Sequence, residues 1–270
     1  MRMTRPRWLG AVPVLIVLGG LFGGALVGAV RTSLQPDPFS GRYTFAAWRS
    51  VLTDPAFAEA VGFTLAIGVL TTLLSVALAI PVAAALRGRA WARTITALPV
   101  LLPHLLLAAV AVLWLAPGGL ADRFVGGLAL DVIRARSGVG IVLVYLVKEV
   151  PFLALLVLTA WDDAVASREE AAAVHGAGRL ARWWHVVLPG VRGPLAAGTL
   201  VVAAFVLGSF EVPLVVGPTR PDTIATYALR ISQVADLSGR AASAAALLTA
   251  SAGALLLATA AGLLVLRRRA

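Results

Sequence analysis

Long apolar stretches alternate with short polar segments along this chain, and their lengths match the thickness of a membrane. A bilayer core of about 30 Å is crossed by about 20 residues of helix. Six stretches qualify, approximately Trp8–Val30, Val61–Leu86, Thr94–Ala116, Gly138–Ala160, Pro194–Val216 and Ala241–Leu266. The pattern therefore predicts an all-α integral membrane protein with six transmembrane helices, organised as a single domain over residues 1–270 and embedded in the lipid bilayer.

Composition supports this interpretation and limits the alternatives. Hydrophobic residues make up 60% of the chain, whereas soluble domains contain about 45–50%. The chain has no cysteine, which excludes disulfides and thiol-based metal or redox sites. A net charge of +10 could suggest nucleic acid as a partner, but the arginines cluster in short loops, as membrane topology requires. We therefore expect no nucleic-acid partner.

The distribution of arginine predicts the orientation in the membrane. With the N-terminus inside, the inner segments hold thirteen arginines and the outer segments hold nine. This excess favours cytoplasmic N- and C-termini. The first span follows a basic lead like that of a signal peptide, but its apolar run is too long for a typical cleaved segment. We therefore expect it to be retained as a helix.

The polar segment 161–192 separates the fourth and fifth spans, and the orientation places it in the cytoplasm. Ser167 with Glu170 three residues later forms a capping-box pattern, which predicts a helix beginning there. Gly176 and Gly178 predict a turn, and Leu188-Pro189 is expected to end a second short helix. The sequence therefore predicts two short helices, joined at a glycine turn, along the membrane surface.

One phrase in this segment has fixed spacing. Glu170-Ala171-Ala172 is followed after three residues by Gly176, and after nine more by an aliphatic residue, Val186, with Leu188-Pro189 closing the phrase. In this phrase the chain resembles the permease subunits of ATP-binding-cassette (ABC) importers of type I. Because the six-span pattern supplies the context that such a motif requires, the resemblance is specific. His175 departs from it, since Leu often precedes the glycine in that family.

The resemblance implies both a site and an assembly. The ATPase-coupling residues would be Glu170, Ala171, Ala172, Gly176, Leu188 and Pro189. The partners would be two copies of an ABC ATPase subunit, a second permease chain that is identical or related, and an extracytoplasmic solute-binding protein. The protein would lie in the bacterial cytoplasmic (inner) membrane. It would not be an enzyme itself, and it would need no cofactor.

Polar side chains within the spans suggest a second site. Lys148, Glu149 and Glu211 are ionisable residues at membrane depth, where charge is costly and usually serves a function or a pair. Together with Ser209 they are candidates for the translocation path, although Lys148 and Glu211 could instead neutralise each other. The phrase around Glu211 resembles the polyamine, thiamine, sulfate and ferric-ion importers. An intramembrane carboxylate suits a cation, so we expect a polyamine as the substrate.

Two other classes of function stay open at this point. A standalone secondary transporter would carry substrate and ion sites near the midplane, often in repeated halves, and no clear repeat is visible. A non-transporting scaffold would leave the polar residues in the spans unexplained. Catalytic motifs are also missing. No glycine-rich phosphate loop precedes the single lysine, Lys148, and His104, His175 and His185 lack the spacing of a zinc site, so no metal is expected.

Overall fold

The structure is a computed structural model, and it describes residues 12–35, 37, 41–89, 91–125, 132–233 and 238–267. Within these ranges the regular structure consists of helices. They are α1 (Val12–Leu34), α2 (Ala46–Leu52), α3 (Pro55–Leu86), α4 (Ala92–Leu101), α5 (His104–Leu115), α6 (Leu120–Val125), α7 (Val139–Ala160), α8 (Asp163–Val174), α9 (Arg179–Arg182), a π-helical turn (Trp183–Val187), α10 (Leu188–Gly208), α11 (Glu211–Val216), α12 (Ile224–Ser232) and α13 (Ser238–Arg267).

The prediction of an all-α protein with six membrane-crossing helices is confirmed. Six helical stretches are long and apolar enough to cross a membrane, namely Val12–Leu34, Pro55–Leu86, His104–Phe124, Val139–Ala160, Arg179–Gly208 and Ser238–Leu256. α1 shows why lipid is the required solvent, because its most apolar window is 0% buried by protein. The predicted start of the first span at Trp8 and the terminal arginines at 2, 5, 7, 268 and 269 lie outside the described residues.

Two predicted spans are wrong in detail, because helix breaks interrupt them. The third span divides at Leu102, which has the extended backbone angles φ −78° and ψ 136°. The fifth divides at Ser209, with φ −75° and ψ 144°. A proline explains each break. Pro103 disfavours the helical conformation of the residue before it, and Pro213 has no N–H to donate to the carbonyl of Ser209, four residues earlier.

The described residues form two compact units, and the first comprises those up to Ala58 together with Ile224–Gly253. In this unit Asp54 joins two segments. One of its carboxylate oxygens accepts a hydrogen bond from the N–H of Ala56 at 2.9 Å, and the other accepts one from the Tyr227 hydroxyl at 2.7 Å. Asp54 therefore caps the start of α3 and ties it to the buried ring of Tyr227.

The second unit comprises Glu59–Thr223 and Ala254–Ala270, and its described core centres on α7. α4 and α10 both pack against α7. Gly198 on α10 permits the close approach, because a Cβ atom there would lie 2.4 Å from Cδ1 of Leu156. Small residues at such crossings let helix backbones come together in membranes. This packing fixes the positions of both candidate sites. The first lies between the end of α7 and the start of α10, and the second lies along α7 and just beyond the end of α10.

Candidate functional site

The first candidate site begins with α8, whose start differs from the prediction. Ser167 was expected to cap the helix, but the helix begins four residues earlier and is capped by Asp162, whose side chain accepts a hydrogen bond from Val165 N at 2.9 Å. Ser167 lies inside the helix, and its hydroxyl donates to the carbonyl of Asp163 at 2.8 Å. Aspartate caps as well as serine does, and it occurs directly after α7 ends. The first usable cap therefore sets the boundary.

Gly176 ends α8 through a specific backbone geometry. Its φ of +83° lies in the left-handed region that favours glycine. Gly176 N donates to Ala173 O, and Ala177 N donates to Ala172 O, both at 3.0 Å. These two bonds form a Schellman motif, which satisfies the last carbonyl groups of a helix. A hypothetical Cβ at Gly176 would meet nothing within 4 Å, so the glycine is required by its backbone and not by packing within this chain.

The chain returns to the membrane without the predicted interruption. Leu188-Pro189 was expected to end the second short helix, but α9, the π-helical turn and α10 follow one another without a break in the helical path. Pro189 lies in the first turn of α10, directly after the π-helical turn. The residue without an N–H thus falls where the helical bonding pattern changes. Leu188 and Pro189 thus mark the entry to the fifth span.

An ion pair holds α8 against the end of α3. Arg87 donates to the carboxylate of Glu169, with both side chains partly buried. The guanidinium of Arg87 also lies over the Trp161 ring, 4.2 Å from its centroid, and the rings of Trp161 and Trp183 are 5.7 Å apart. Glu169, which sequence reasoning did not select, is therefore the residue that anchors α8.

Much of the loop between α7 and α10 is exposed. Glu170, Ala171, Gly176 and Pro189 are exposed, whereas Ala172 and Leu188 are half-buried. Large apolar side chains share this exposure: Val174 is 86% exposed, Leu180 71% and Trp184 57%. We call the exposed residues of 170–184 the coupling surface. Exposed apolar patches of this kind mark interaction sites.

The second candidate site is a polar cluster between α5 and α7. Glu149 is buried, and its carboxylate oxygen lies 3.0 Å from Nε2 of His104. Lys148 Nζ donates to the carbonyl of Leu102 at 2.7 Å and lies 3.4 Å from Nδ1 of His104. The Leu102 carbonyl is available because the helix breaks there. The lysine therefore satisfies a backbone group that the break would otherwise leave unpaired in the membrane.

We assign the hydrogen on His104 from its two neighbours. An ammonium group can only donate, so Nδ1, 3.4 Å from Lys148 Nζ, is taken as the acceptor. Nε2 then carries the hydrogen and donates it to Glu149. The imidazole is neutral in this arrangement, and it connects a positive group to a negative one that point in different directions from the same helix.

Glu211 and Ser209 lie at the other helix break, near the same cluster. Glu211 is the first residue of α11 and is exposed, and Ser209 is half-buried. α11, which begins at Glu211, packs against α5 and α7. The ring of Phe205 stacks on His104 with 4.3 Å between centroids. Lys148 and Glu149 therefore meet at His104, and Ser209 and Glu211 lie at the end of the helix that carries Phe205. Lys148 and Glu211 form no ion pair in the described structure.

Sequence reasoning missed His104 as a member of this cluster. The spacing of His104 excludes it as a zinc ligand, but its position within the predicted third span indicates a polar residue at membrane depth. The available signal was its position directly after Pro103. A polar residue at a proline break within a membrane helix can bind the backbone groups that the break exposes.

The fold and the two sites define a permease of the ABC importer class. The family of binding-protein-dependent transport system inner membrane components matches residues 71–270, and the chain belongs to this family. It is similar to the inner membrane ABC transporter permease proteins YnjC and YdcU of Escherichia coli K12. It is 27% identical to YnjC over 83% of this chain and 43% of YnjC. It is 29% identical to YdcU over 76% of this chain and 75% of YdcU. This chain thus spans less than half of YnjC.

A further relative is the sn-glycerol-3-phosphate transport system permease protein UgpA of Brucella abortus, 28% identical over 68% of this chain and 67% of UgpA. Among solved structures, a bacterial ABC transporter that imports the acidic polysaccharide alginate matches with a TM-score of 0.78 at 18% identity, covering 96% of this chain and 94% of that one. At this identity the likeness shows the fold, which is that of a type I importer permease. The protein is a multi-pass component of the inner membrane.

Proposed function

We propose that this chain forms the translocation pathway of an importer and couples it, through the coupling surface, to separate ATPase subunits. The observation that carries the proposal is an exposed apolar surface on a loop that is anchored internally. The Arg87–Glu169 pair holds α8 in place, while Val174, Leu180 and Trp184 remain exposed. Such an arrangement suits a rigid docking element, which can transmit movement between a soluble motor and membrane helices.

The geometry distributes the roles of the six coupling residues. Glu170 and Ala171 are exposed and would contact the ATPase directly. Ala172 is half-buried and supplies the carbonyl that closes the Schellman motif, and Gly176 supplies the left-handed backbone. Leu188 and Pro189 would transfer movement to the fifth span, because α10 begins with them.

The proposed assembly contains two ATPase subunits, a second permease chain and an external solute-binding protein. The arginine excess supports an orientation with the coupling surface in the cytoplasm, where ATP is available. A solved structure of the alginate transporter contains an alginate pentasaccharide-bound periplasmic protein, which supports the expectation of a binding protein here. This permease would supply no catalytic residue for ATP hydrolysis.

Co-purification of the ATPase tests the coupling proposal. Ala171→Gln adds bulk to an exposed residue while keeping a good helix former. Overpacking a close contact costs about 1–3 kcal/mol, so the affinity for the ATPase should fall at least about fivefold. Ala164→Gln is the matched control, since Ala164 is exposed on the same helix outside the coupling surface. Equal retention of the ATPase by both variants would contradict the proposal.

The proposed substrate is a polyamine, and the exposed carboxylate of Glu211 supports a cationic solute. Ser209, Glu211, Lys148 and Glu149 would border the path. The named solutes of relatives, sn-glycerol-3-phosphate and alginate, give this choice no support, so it stays a prediction. Uptake of labelled spermidine by cells that express the complete importer tests it. Uptake equal to that of cells lacking the permease would exclude this substrate.

A further inference from the structure

Three ionisable side chains of the polar cluster form one connected unit. Lys148 carries a positive charge and Glu149 a negative one, and His104 contacts both through different ring nitrogens. In the tautomer with the hydrogen on Nε2, the imidazole accepts from Lys148, donates to Glu149 and is neutral. The unit therefore has no net charge. Glu149 is buried, so its carboxylate is shielded from solvent, and the positive charge of Lys148 compensates its negative charge.

Glu211 differs from Glu149 in each of these respects. Its side chain is exposed at the break in the fifth span, where α11 begins. Among the residues that the structure describes, none forms an ion pair with it. Lys148, the nearest candidate by sequence reasoning, is held by the Leu102 carbonyl and by His104. The negative charge of Glu211 is therefore not compensated by an ion pair within the described part of the chain.

We propose that His104 is a positioning residue that holds Lys148 and Glu149 in one charge-compensated unit, and that Glu211 alone sets the charge selectivity at the break in the fifth span. The inference rests on the proposed translocation role of these residues and refines it. Lys148 and Glu149 become structural, and the solute meets a single carboxylate. A cation is then favoured over an anion at this point of the path.

His104 also connects the two helix breaks. It is the first residue of α5, directly after the break at Leu102, and its ring stacks on Phe205 of α10, four residues before the break at Ser209. Loss of its two polar contacts would leave Lys148 and Glu149, which are neighbours on α7, without the imidazole that connects them. A charge at membrane depth without a partner is costly.

The absence of native cysteine allows a direct measurement of the local field without knowledge of the substrate. Ser209→Cys introduces a nearly isosteric thiol two residues before Glu211. Its reaction rates with a cationic methanethiosulfonate (the ethylammonium) and an anionic one (the ethylsulfonate) are compared with the rates for a free thiol. One carboxylate about 6 Å away in water should shift the normalised cation-to-anion ratio about tenfold towards the cation.

Two further variants decide which carboxylate is responsible. Adding Glu211→Gln should return the normalised ratio to about one. Adding Lys148→Met together with Glu149→Gln removes a neutral pair and should leave the ratio unchanged. Three results would overturn the inference. They are loss of the cation preference in the Lys148→Met, Glu149→Gln background, persistence of that preference in Glu211→Gln, and a thiol that reacts with neither reagent. ATPase retention is measured on the same samples, so a failure of coupling is seen separately.

Rescue tests the positioning role of His104. His104→Phe keeps a ring that can stack on Phe205 but removes both polar contacts, and the amount of folded protein in the membrane should fall several-fold. The triple variant with Lys148→Met and Glu149→Gln should recover part of that loss, because no charge is then left unpaired, although the Leu102 carbonyl loses its donor. A triple variant as depleted as His104→Phe would show that the imidazole acts by shape and not by neutralisation.

Discussion

Arg87, directly after the end of α3, forms an ion pair with Glu169 in the middle of α8. The two residues belong to polar segments that the arginine count assigns to the same side of the membrane. Their contact agrees with that shared side, and it gives the coupling surface a fixed base. Because Trp161 covers the guanidinium, the pair is better sheltered than an ordinary surface pair.

We predict that this pair stabilises the loop by about 1 kcal/mol, at the upper end for partly exposed ion pairs. Glu169→Gln and Arg87→Met should each lower the thermal stability of the purified protein, and the double variant should lose less than their sum. The measurement is a double-mutant cycle of unfolding temperatures in detergent. Strict additivity would show that the two side chains do not interact in the folded protein.

Gly176 provides a second prediction, which separates backbone geometry from docking. A residue with a Cβ in the left-handed region costs about 1–2 kcal/mol, and asparagine tolerates it best. Gly176→Val should therefore weaken the loop and ATPase retention, whereas Gly176→Asn should keep most of both. Gly178→Val is the control for loop stability alone, since Gly178 has φ −63° and open space around it but lies on the coupling surface. If Gly176→Asn reduced ATPase retention as much as Gly176→Val does, the site would require the absence of a side chain and not the left-handed backbone.

The orientation in the membrane gives a third prediction. Single cysteines at Gly178 and Thr219 lie in segments that the arginine distribution assigns to opposite sides. An impermeant thiol reagent added to intact spheroplasts should label Thr219→Cys. The same reagent should label Gly178→Cys only after the cells are opened. Protection of Thr219→Cys combined with labelling of Gly178→Cys would reverse the assignment and remove the coupling surface from the compartment that holds ATP.

The sequence was sufficient for the membrane class, because apolar length and loop arginines respond to strong, local physical constraints. It was less informative where a proline competes with an apolar run. Pro103 and Pro213 break spans that hydropathy alone joins, since hydropathy does not register a missing N–H. The capping-box pattern of Ser167 and Glu170 favours a later helix start, but Asp162, which follows α7 more closely, is the residue that caps α8.

The polar cluster shows a different limit of sequence reasoning. Lys148 and Glu149 were recognised as unusual, but their shared partner is 44 and 45 residues away in the chain. Only the packing of α5 against α7 brings His104 between them. Charge alone makes a pair of Lys148 with Glu211 reasonable. In the structure the Lys148 ammonium group instead donates a hydrogen bond to the Leu102 carbonyl. Glu169 was missed for a similar reason, since its partner Arg87 is distant in sequence.

Site-specific cross-linking from the coupling surface tests the central claim most directly. Val174→Cys, at an 86% exposed position, is modified with a photoreactive maleimide in membranes that contain the complete importer. After illumination, we predict a covalent product between this chain and its ATP-hydrolysing subunit, and no such product from Thr219→Cys. A product from Thr219→Cys alone, or none from Val174→Cys when the complex is intact, would contradict the assignment of this loop as the coupling element.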